Sequence, residues 1–289
     1  MRILVIGSGF IGRSIIHRLR TEGHDILAFS QKEKEEVECK QIQGDIFNFD
    51  EFFKVLEWGP QVVIHTAWIT TPGLYRDDPS NYRYAEFTIK LAEIIAKSDI
   101  EHFIVLGTCA EYGQQTQPCI AGFTPLNPTT LYATQKVFAF NAIKELFHFS
   151  NVRFTWARVF YPYGPGQHHN RLIQQIIYSL ENREPIRLAD ISSAYDWVST
   201  TDIASAISWI ISKNTPTEVD IGTSFGYTNL EVLYTIEGLT NLDLQSSRRQ
   251  EHDFGNEEFF IVAKNSPLLA SGWLPNDTLV SGLERILSS

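Results

Sequence analysis

Cysteine is scarce in this chain: Cys39, Cys109 and Cys119 are the three among 289 residues. They are odd in number and stand at no metal-ligand spacing. A disulfide framework or a zinc site is therefore disfavoured, and a reduced intracellular setting is expected. Positive charge is also short. Lys and Arg number 24 against 34 Asp and Glu, a net charge of −10, and no basic stretch offsets it. A nucleic-acid surface is disfavoured on that ground. An anionic ligand is not, because it needs only a local cationic pocket. No apolar run reaches the roughly 18 residues of a membrane span. No signal peptide precedes the first apolar stretch, so a cytosolic protein is expected. Repeats, low-complexity tracts and long linkers are absent as well. What remains, 43% hydrophobic and 20% charged residues, suits a folded chain of one large or two closely joined domains.

The most informative stretch is the first. Arg2 to Ile6 is a short apolar run suited to a buried strand, and Gly7-Ser8-Gly9-Phe10-Ile11-Gly12 follows at once. Arg13 to Arg20 then reads as a helix with Ile15, Ile16 and Leu19 on one side. Strand, GxGxxG and helix in that order form the context in which the glycines signal a dinucleotide site rather than an ordinary turn. Gly7 permits the tight turn, Gly9 lets a pyrophosphate approach the backbone, and Gly12 lets helix and strand pack closely. The phosphates would lie over the helix N-terminus beside Phe10 and Ile11.

Strands and helices then alternate. His24 to Phe29, Gln41 to Gln43, Gln61 to His65 and His102 to Leu106 read as strands; Phe49 to Trp58 and Tyr82 to Lys97 read as helices. The alternation predicts an α/β fold with a doubly wound parallel Rossmann sheet. NAD-preferring folds usually carry an acid at the end of the second strand, for the adenosine ribose. Here that end is Ser30-Gln31-Lys32, and Ser30, Lys32 and Arg13 could all serve a 2′-phosphate. NADP(H) is the reading, with NAD(H) as the alternative and a solvated Lys/Glu run as the plain one. Asp45, with Ile46 beside it, is a candidate adenine contact or a simple turn aspartate.

The fifth strand leads to Gly107-Thr108-Cys109-Ala110-Glu111-Tyr112-Gly113 at the carboxyl edge, where such folds place ligands. A helix from about Thr129 to Phe149 follows, with Tyr132 and Lys136 four apart on one face. A phenol ionises near pH ~10, and a neighbouring ammonium favours its phenolate. The pair is therefore a candidate acid–base unit with Thr108; an ordinary surface pair is the alternative.

These motifs occur in the order found in extended short-chain dehydrogenases/reductases, the nucleotide-sugar epimerases, dehydratases and ketoreductases. The stretch from Gly7 to Gly12, Thr108, Tyr132-Ala-Thr-Gln-Lys136, Arg158 to Gln167, Asp196 to Asp202 and a closing Ser271-Gly-Trp-Leu-Pro275 all resemble that family. The resemblance spans almost the whole chain. It implies that Tyr132 is the acid/base, that Lys136 holds the nicotinamide ribose, and that Thr108 binds the reacting oxygen. His65 to Ala67 would line the cofactor path. It further implies a Rossmann domain over residues 1–160 and a smaller α/β substrate domain over 161–289, with part of 190–215 packing back on the first. Asn170, Arg171 and Arg249 would meet a nucleotide-sugar substrate, the last within a pair, Arg248-Arg249, that could equally be solvated. A homodimer through the long helices is also implied, the second running Leu131 to Phe149; full burial of its rings within one chain is the alternative.

Departures from the family narrow the chemistry. Dehydratases carry an acidic pair after the Thr, where this chain has Cys109 and Ala110. The epimerase-reductase type places a cysteine where Ala110 stands, so Cys109 reads as a small packed thiol. The family's Arg before Asp196 is Tyr195 here. Leu172 to Leu180 reads as a helix, Ile186 to Leu188 as a strand, and Thr201-Asp202 as the cap of a helix over Ile203 to Ile211, making Asp202 structural. His168-His169 lack a third ligand for a metal. The resemblance is nearest to the 4-ketoreductases of the CDP-abequose synthase type. It implies NADPH-dependent reduction of a nucleoside-diphosphate 4-keto-6-deoxysugar. A C4 epimerase and a non-catalytic dinucleotide sensor are the alternatives.

Overall fold

The computed structural model describes residues 1–33, 36–242, 249–252, 259–264 and 266–288. Strands run in chain order β1 (Arg2–Ile6), β2 (Asp25–Ser30), β3 (Lys40–Gln43), β4 (Val62–His65), β5 (His102–Thr108), β6 (Arg153–Val159), β7 (Tyr161–Tyr163), β8 (Ile186–Ala189), β9 (Ala194–Tyr195), β10 (Trp197–Ser199), β11 (Glu218–Ile221), β12 (Tyr227–Thr228), β13 (Arg249–His252) and β14 (Phe260–Ile261). The helices are α1 (Phe10–Thr21), α2 (Phe49–Phe52), α3 (Ser80–Ile95), α4 (Leu131–Phe147), α5 (Leu172–Asn182), α6 (Thr200–Ser212), α7 (Asn229–Thr240), α8 (Pro267–Ala270) and α9 (Leu279–Leu287).

Among the described residues, seven strands form one parallel sheet in the order β11-β6-β5-β4-β1-β2-β3. Parallel strands are covered on both faces and so read as continuous apolar runs. Val62, Val63 and Ile64 of β4 are fully buried, each contributing roughly 1.5–3 kcal/mol of burial. The chain winds from β1 to one side and from β4 to the other, so Ile6 pairs with both Phe29 and His65. That reversal opens a crevice at the carboxyl ends of β1 and β4, where α/β sheets take ligands. α1 buries Gly12, Ile15, Ile16 and Leu19 and packs against α6.

The strand-and-helix alternation reads through to β5 with ends shifted by a residue or two. Three differences are informative. Phe49 to Trp58 is one α-helical turn followed by a 3-10 helix over Phe53–Trp58. β6 and β11 join the sheet where the sequence had named no strand, so the chain returns to the first core after leaving it. The cap of α6 is Ser199, whose Oγ accepts from Asp202 N at 3.0 Å; Asp202 sits inside the helix. Its carboxylate instead accepts from Asn276 N at 2.8 Å and Asp277 N at 3.0 Å, a structural role of a different kind. The carboxyl-terminal part has a core of its own, in which Ile173, Ile176, Val232, Leu233 and Leu283 are buried. No described helix is long and apolar enough to cross a membrane.

Candidate active site

The turn after β1 is a cradle built from close approaches. Gly7 has φ +100°, and a Cβ there would lie 2.8 Å from Ala67 N. A Cβ on Gly12 would lie 1.9 Å from Gly7 O, so only glycine lets α1 come this near the strand. Gly9, the cap of α1, has no side-chain capping bond and open space where its Cβ would be. The first turn of α1 carries no acid. Unsatisfied N–H groups, the positive end of a 12-residue helix and open room above them fit a pyrophosphate. Phe10 and Ile11 are half-buried beside it.

Ser30, at the end of β2, accepts from Ser8 Oγ at 3.0 Å and donates to Lys32 O at 2.8 Å. Lys32 stands exposed beyond it. Arg13 is turned elsewhere: its Nη2 donates to Pro165 O at 2.6 Å, and Nη1 lies 3.8 Å from the exposed Glu36 carboxylate. Asp45 is exposed and accepts from Phe47 N at 3.0 Å, the geometry of a turn aspartate; Ile46 beside it is buried. His65 is buried with Nε2 3.0 Å from Thr88 Oγ1. Burial, and then the Lys136 charge, lower its pKa to about 3, so it is neutral. Ala67 N donates to Ile6 O at 2.9 Å, fixing this segment against the glycine turn.

Thr108, Tyr132 and Lys136 lie around the end of β5. Thr108 ends β5 and caps the 3-10 turn Cys109–Tyr112, its Oγ1 accepting from Ala110 N at 3.3 Å. Its hydroxyl acts on the Tyr132 phenol in the direction that favours ionisation. Thr130 caps α4, and Tyr132 N donates to Arg76 O at 2.8 Å, which locks the first turn of the helix in place. Lys136 is buried; Nζ donates to Leu106 O at 2.7 Å and lies 3.9 Å from the ring centroid of Trp68. Burial lowers its pKa to about 7, with Glu111 opposing. The phenol departs from expectation. Burial raises its pKa well above the ordinary value, and Thr108 is the group that opposes the rise.

Sequence reasoning passed over several neighbours. Glu111 is fully buried and accepts from Thr108 N at 2.8 Å, completing a capping box. Its Thr-x-x-Glu spacing was a readable signal. Trp68 and Tyr75 lie on an irregular loop with no periodicity to announce them. Tyr75 meets the Tyr132 ring edge-on with centroids 5.0 Å apart. Arg171, at the start of α5, lies 5.4 Å from the Tyr75 ring centroid and donates to Thr70 O at 2.9 Å. Arg171, a candidate substrate contact, is thereby linked to Tyr132 through one ring. Tyr161 packs against Tyr195 at 4.6 Å and Trp197 at 5.6 Å. Asn170 is exposed, its N–H donating to His168 Nδ1 at 3.1 Å. Arg248 and the Arg249 side chain lie outside the described residues. Among those described, no cluster of metal-ligating side chains occurs.

The model of the NAD dependent epimerase/dehydratase family matches residues 3–222, and the chain belongs to that family. It is 28% identical over 219 residues to dTDP-6-deoxy-L-talose 4-dehydrogenase (NAD(+)) of Aggregatibacter actinomycetemcomitans, covering 71% of this chain and 77% of the relative. It is 22% identical over 321 residues to UDP-glucose 4-epimerase of Streptococcus mutans, covering 100% and 95%. The solved UDP-glucose 4-epimerase of Thermus thermophilus, in complex with NAD, superposes with TM-score 0.88 at 19% identity over 100% of this chain and 98% of that one; this shows the shared fold. The chain is thus an enzyme of the extended short-chain dehydrogenase/reductase type, in the superfamily acting on nucleotide sugars, with a nicotinamide dinucleotide as cofactor.

Proposed function

We propose that this member of the NAD dependent epimerase/dehydratase family reduces a nucleoside-diphosphate 4-keto-6-deoxysugar to the corresponding 6-deoxysugar nucleotide with NADPH. One observation carries the reading. Thr108 and the candidate proton donor Tyr132 stand at the carboxyl edge of the sheet, while the two residues after Thr108 are a thiol and a methyl group. Burial holds the Cys109 thiol protonated, so neither neighbour supplies the base that elimination or enolisation requires.

The glycine turn over Gly7, Gly9 and Gly12 would hold the dinucleotide, whose dihydronicotinamide would supply the hydride for the sugar's carbonyl carbon. Tyr132 gives its phenolic proton to the carbonyl oxygen as charge grows there. Thr108 shares that oxygen by hydrogen bonding. Lys136, directed to Leu106 O, would hold the nicotinamide ribose. A phenol held protonated by burial suits this direction: an alkoxide is a far stronger base than a phenolate, so the transfer is downhill.

In this reading residues 1–160 hold the cofactor, with the acid-free end of β2 favouring the 2′-phosphate through Ser30 and Lys32. Residues 161–289 hold the nucleotide sugar, with Asn170, Arg171 and Arg249 as contacts. The exposed Tyr82 and Ile94 of α3 and Phe138 of α4 support a homodimer through these packed helices. The test is NADPH and NADH binding, followed by nicotinamide absorbance as 4-keto-6-deoxysugar nucleotides are added. One equivalent of NADPH oxidised per sugar is the expected result. An isomerised sugar without net oxidation would replace the reading with an epimerase.

A further inference from the structure

Glu111 has no task in the chemistry above, yet it is the most heavily engaged side chain near it. Its Oε1 accepts from Thr108 N at 2.8 Å, and both carboxylate oxygens lie 3.1 Å from Trp156 Nε1. Oε2 accepts from Arg158 Nε at 2.6 Å, with neither side chain exposed. Trp156 and Arg158 both belong to β6, so one carboxylate ties the end of β5 to its neighbour strand. The backbone makes room for this. A Cβ on Gly107 would fall 2.2 Å from Trp156 Nε1 and 2.7 Å from Glu111 Oε1. Stability alone is a weak reason for such a pair, because a buried Glu–Arg pair can often be replaced by apolar residues without loss.

What distinguishes this pair is where it stands. Thr108 is held by its N–H on Glu111 while its Oγ1 accepts from Ala110 N, so both its main chain and its hydroxyl have fixed directions. We infer that Glu111 is a positioning residue for proton transfer: it fixes Thr108 at the end of β5 and places its negative charge near Lys136, whose Nζ lies 5.8 Å from the Trp156 ring that Glu111 binds. This rests on Thr108, Tyr132 and Lys136 being the proton-transfer group.

The surroundings of Lys136 bear this out element by element. His65 faces it from β4 and is neutral. Tyr132 precedes it by one turn on α4. The rings of Trp68 and Trp156 lie 3.9 and 5.8 Å from Nζ. Glu111 is the carboxylate acting on the ammonium. Arg158 of β6 is engaged by Glu111 and, through Nη1 at 3.0 Å, by Glu218.

Glu111→Gln keeps the volume and an acceptor for Thr108 N–H but removes the charge. In the full-length enzyme we expect kcat to fall about ten-fold or more, with the NADPH dissociation constant unchanged. The alkaline limb of the kcat–pH profile, set by loss of the Lys136 proton, should move down by about one pH unit. Glu111→Asp, which keeps the charge but shortens the reach, should lower kcat and leave the limb in place. Should the Gln variant fold poorly around an unpaired Arg158, Glu111→Gln/Arg158→Met removes the pair as a unit; losing the guanidinium offsets part of the lost carboxylate, so its limb should move the same way by less. A ¹³C NMR titration of the lysine ε-carbons, assigned with Lys136→Met, reads the same shift without turnover. An unmoved Lys136 titration in a folded variant overturns the inference. Tyr132→Phe is run beside it: wild-type turnover there defeats the function itself, whereas an inactive Tyr132→Phe with an unaffected Glu111→Gln defeats the positioning role alone.

Discussion

The ammonium nitrogen of Lys136 lies 3.9 Å from the ring centroid of Trp68. A cation over a tryptophan face gains about 2 kcal/mol or more when desolvated, and Nζ also donates to Leu106 O at 2.7 Å. Those two contacts offset part of the cost of burying a lysine that is only 4% exposed. They also decide where it points: toward β5 and the loop after β4. Tyr132, four residues earlier, is left to Thr108.

Tyr132→Phe removes the phenolic proton and little volume. Turnover should fall roughly 10²–10⁴-fold, while NADPH affinity stays within about two-fold, since the phenol serves the reacting oxygen. Steady-state kinetics with cofactor titration checks both. Retained turnover would exclude Tyr132 as the proton donor.

Gly12→Ala and Gly9→Ala should separate packing from phosphate binding. The Cβ at position 12 would meet the backbone oxygen of Gly7 at 1.9 Å. We expect a loss of about 1–3 kcal/mol of stability together with the dinucleotide site. At position 9 nothing lies within 4 Å, so stability should change by roughly 1 kcal/mol or less while dinucleotide affinity drops. Equal melting temperatures for the two variants would contradict this division.

Ser30→Asp places an acid where the end of β2 has none. Ser30 already touches Ser8 Oγ at 3.0 Å, so the new carboxylate would stand beside the glycine turn. NADPH affinity should fall relative to NADH by about ten-fold or more, the equivalent of roughly 1.4 kcal/mol. An unchanged ratio would remove β2 from the recognition of the 2′-phosphate.

Asp220→Asn tests a buried acid behind the site. Asp220 accepts from Tyr112 OH at 2.7 Å, and burial pushes its pKa up to about 7. A carboxyl group raised in the folded state contributes stability that is complete below its ordinary value near 3.8 and is lost as pH rises toward 7. The Asn variant lacks that loss. Its stability relative to the wild type should therefore improve between pH 4.5 and pH 8 by on the order of 3 kcal/mol. Urea unfolding at the two pH values measures it; a difference independent of pH would show that Asp220 titrates normally.

The local elements were legible because their signals are local. Arg2 to Ile6 with Gly7, Gly9 and Gly12 carries its own strand, turn and helix start. Thr108, Tyr132 and Lys136 stand out by type and spacing. β6 and β11 escaped notice because their pairing partners lie far away in sequence, Glu218 opposite Trp156 and His102 opposite Arg153. The α6 cap was misplaced for a similar reason. Asp202 resembles a cap in sequence, but its carboxylate is taken by Asn276 and Asp277, more than seventy residues on.

By itself, the sequence determined the Rossmann alternation and the glycine turn and singled out Thr108, Tyr132 and Lys136 as candidates, because periodicity, φ freedom and i,i+4 spacing are set by near neighbours. Only the tertiary structure decided the electrostatics. That Tyr132 is held protonated, that Lys136 rests on Trp68 and Leu106, that Arg13 turns to Pro165, and that Glu111 clamps Thr108 to β6 all depend on burial and on distant partners. Desolvation and Coulomb energies are fixed by distances through space, and the linear chain does not contain them.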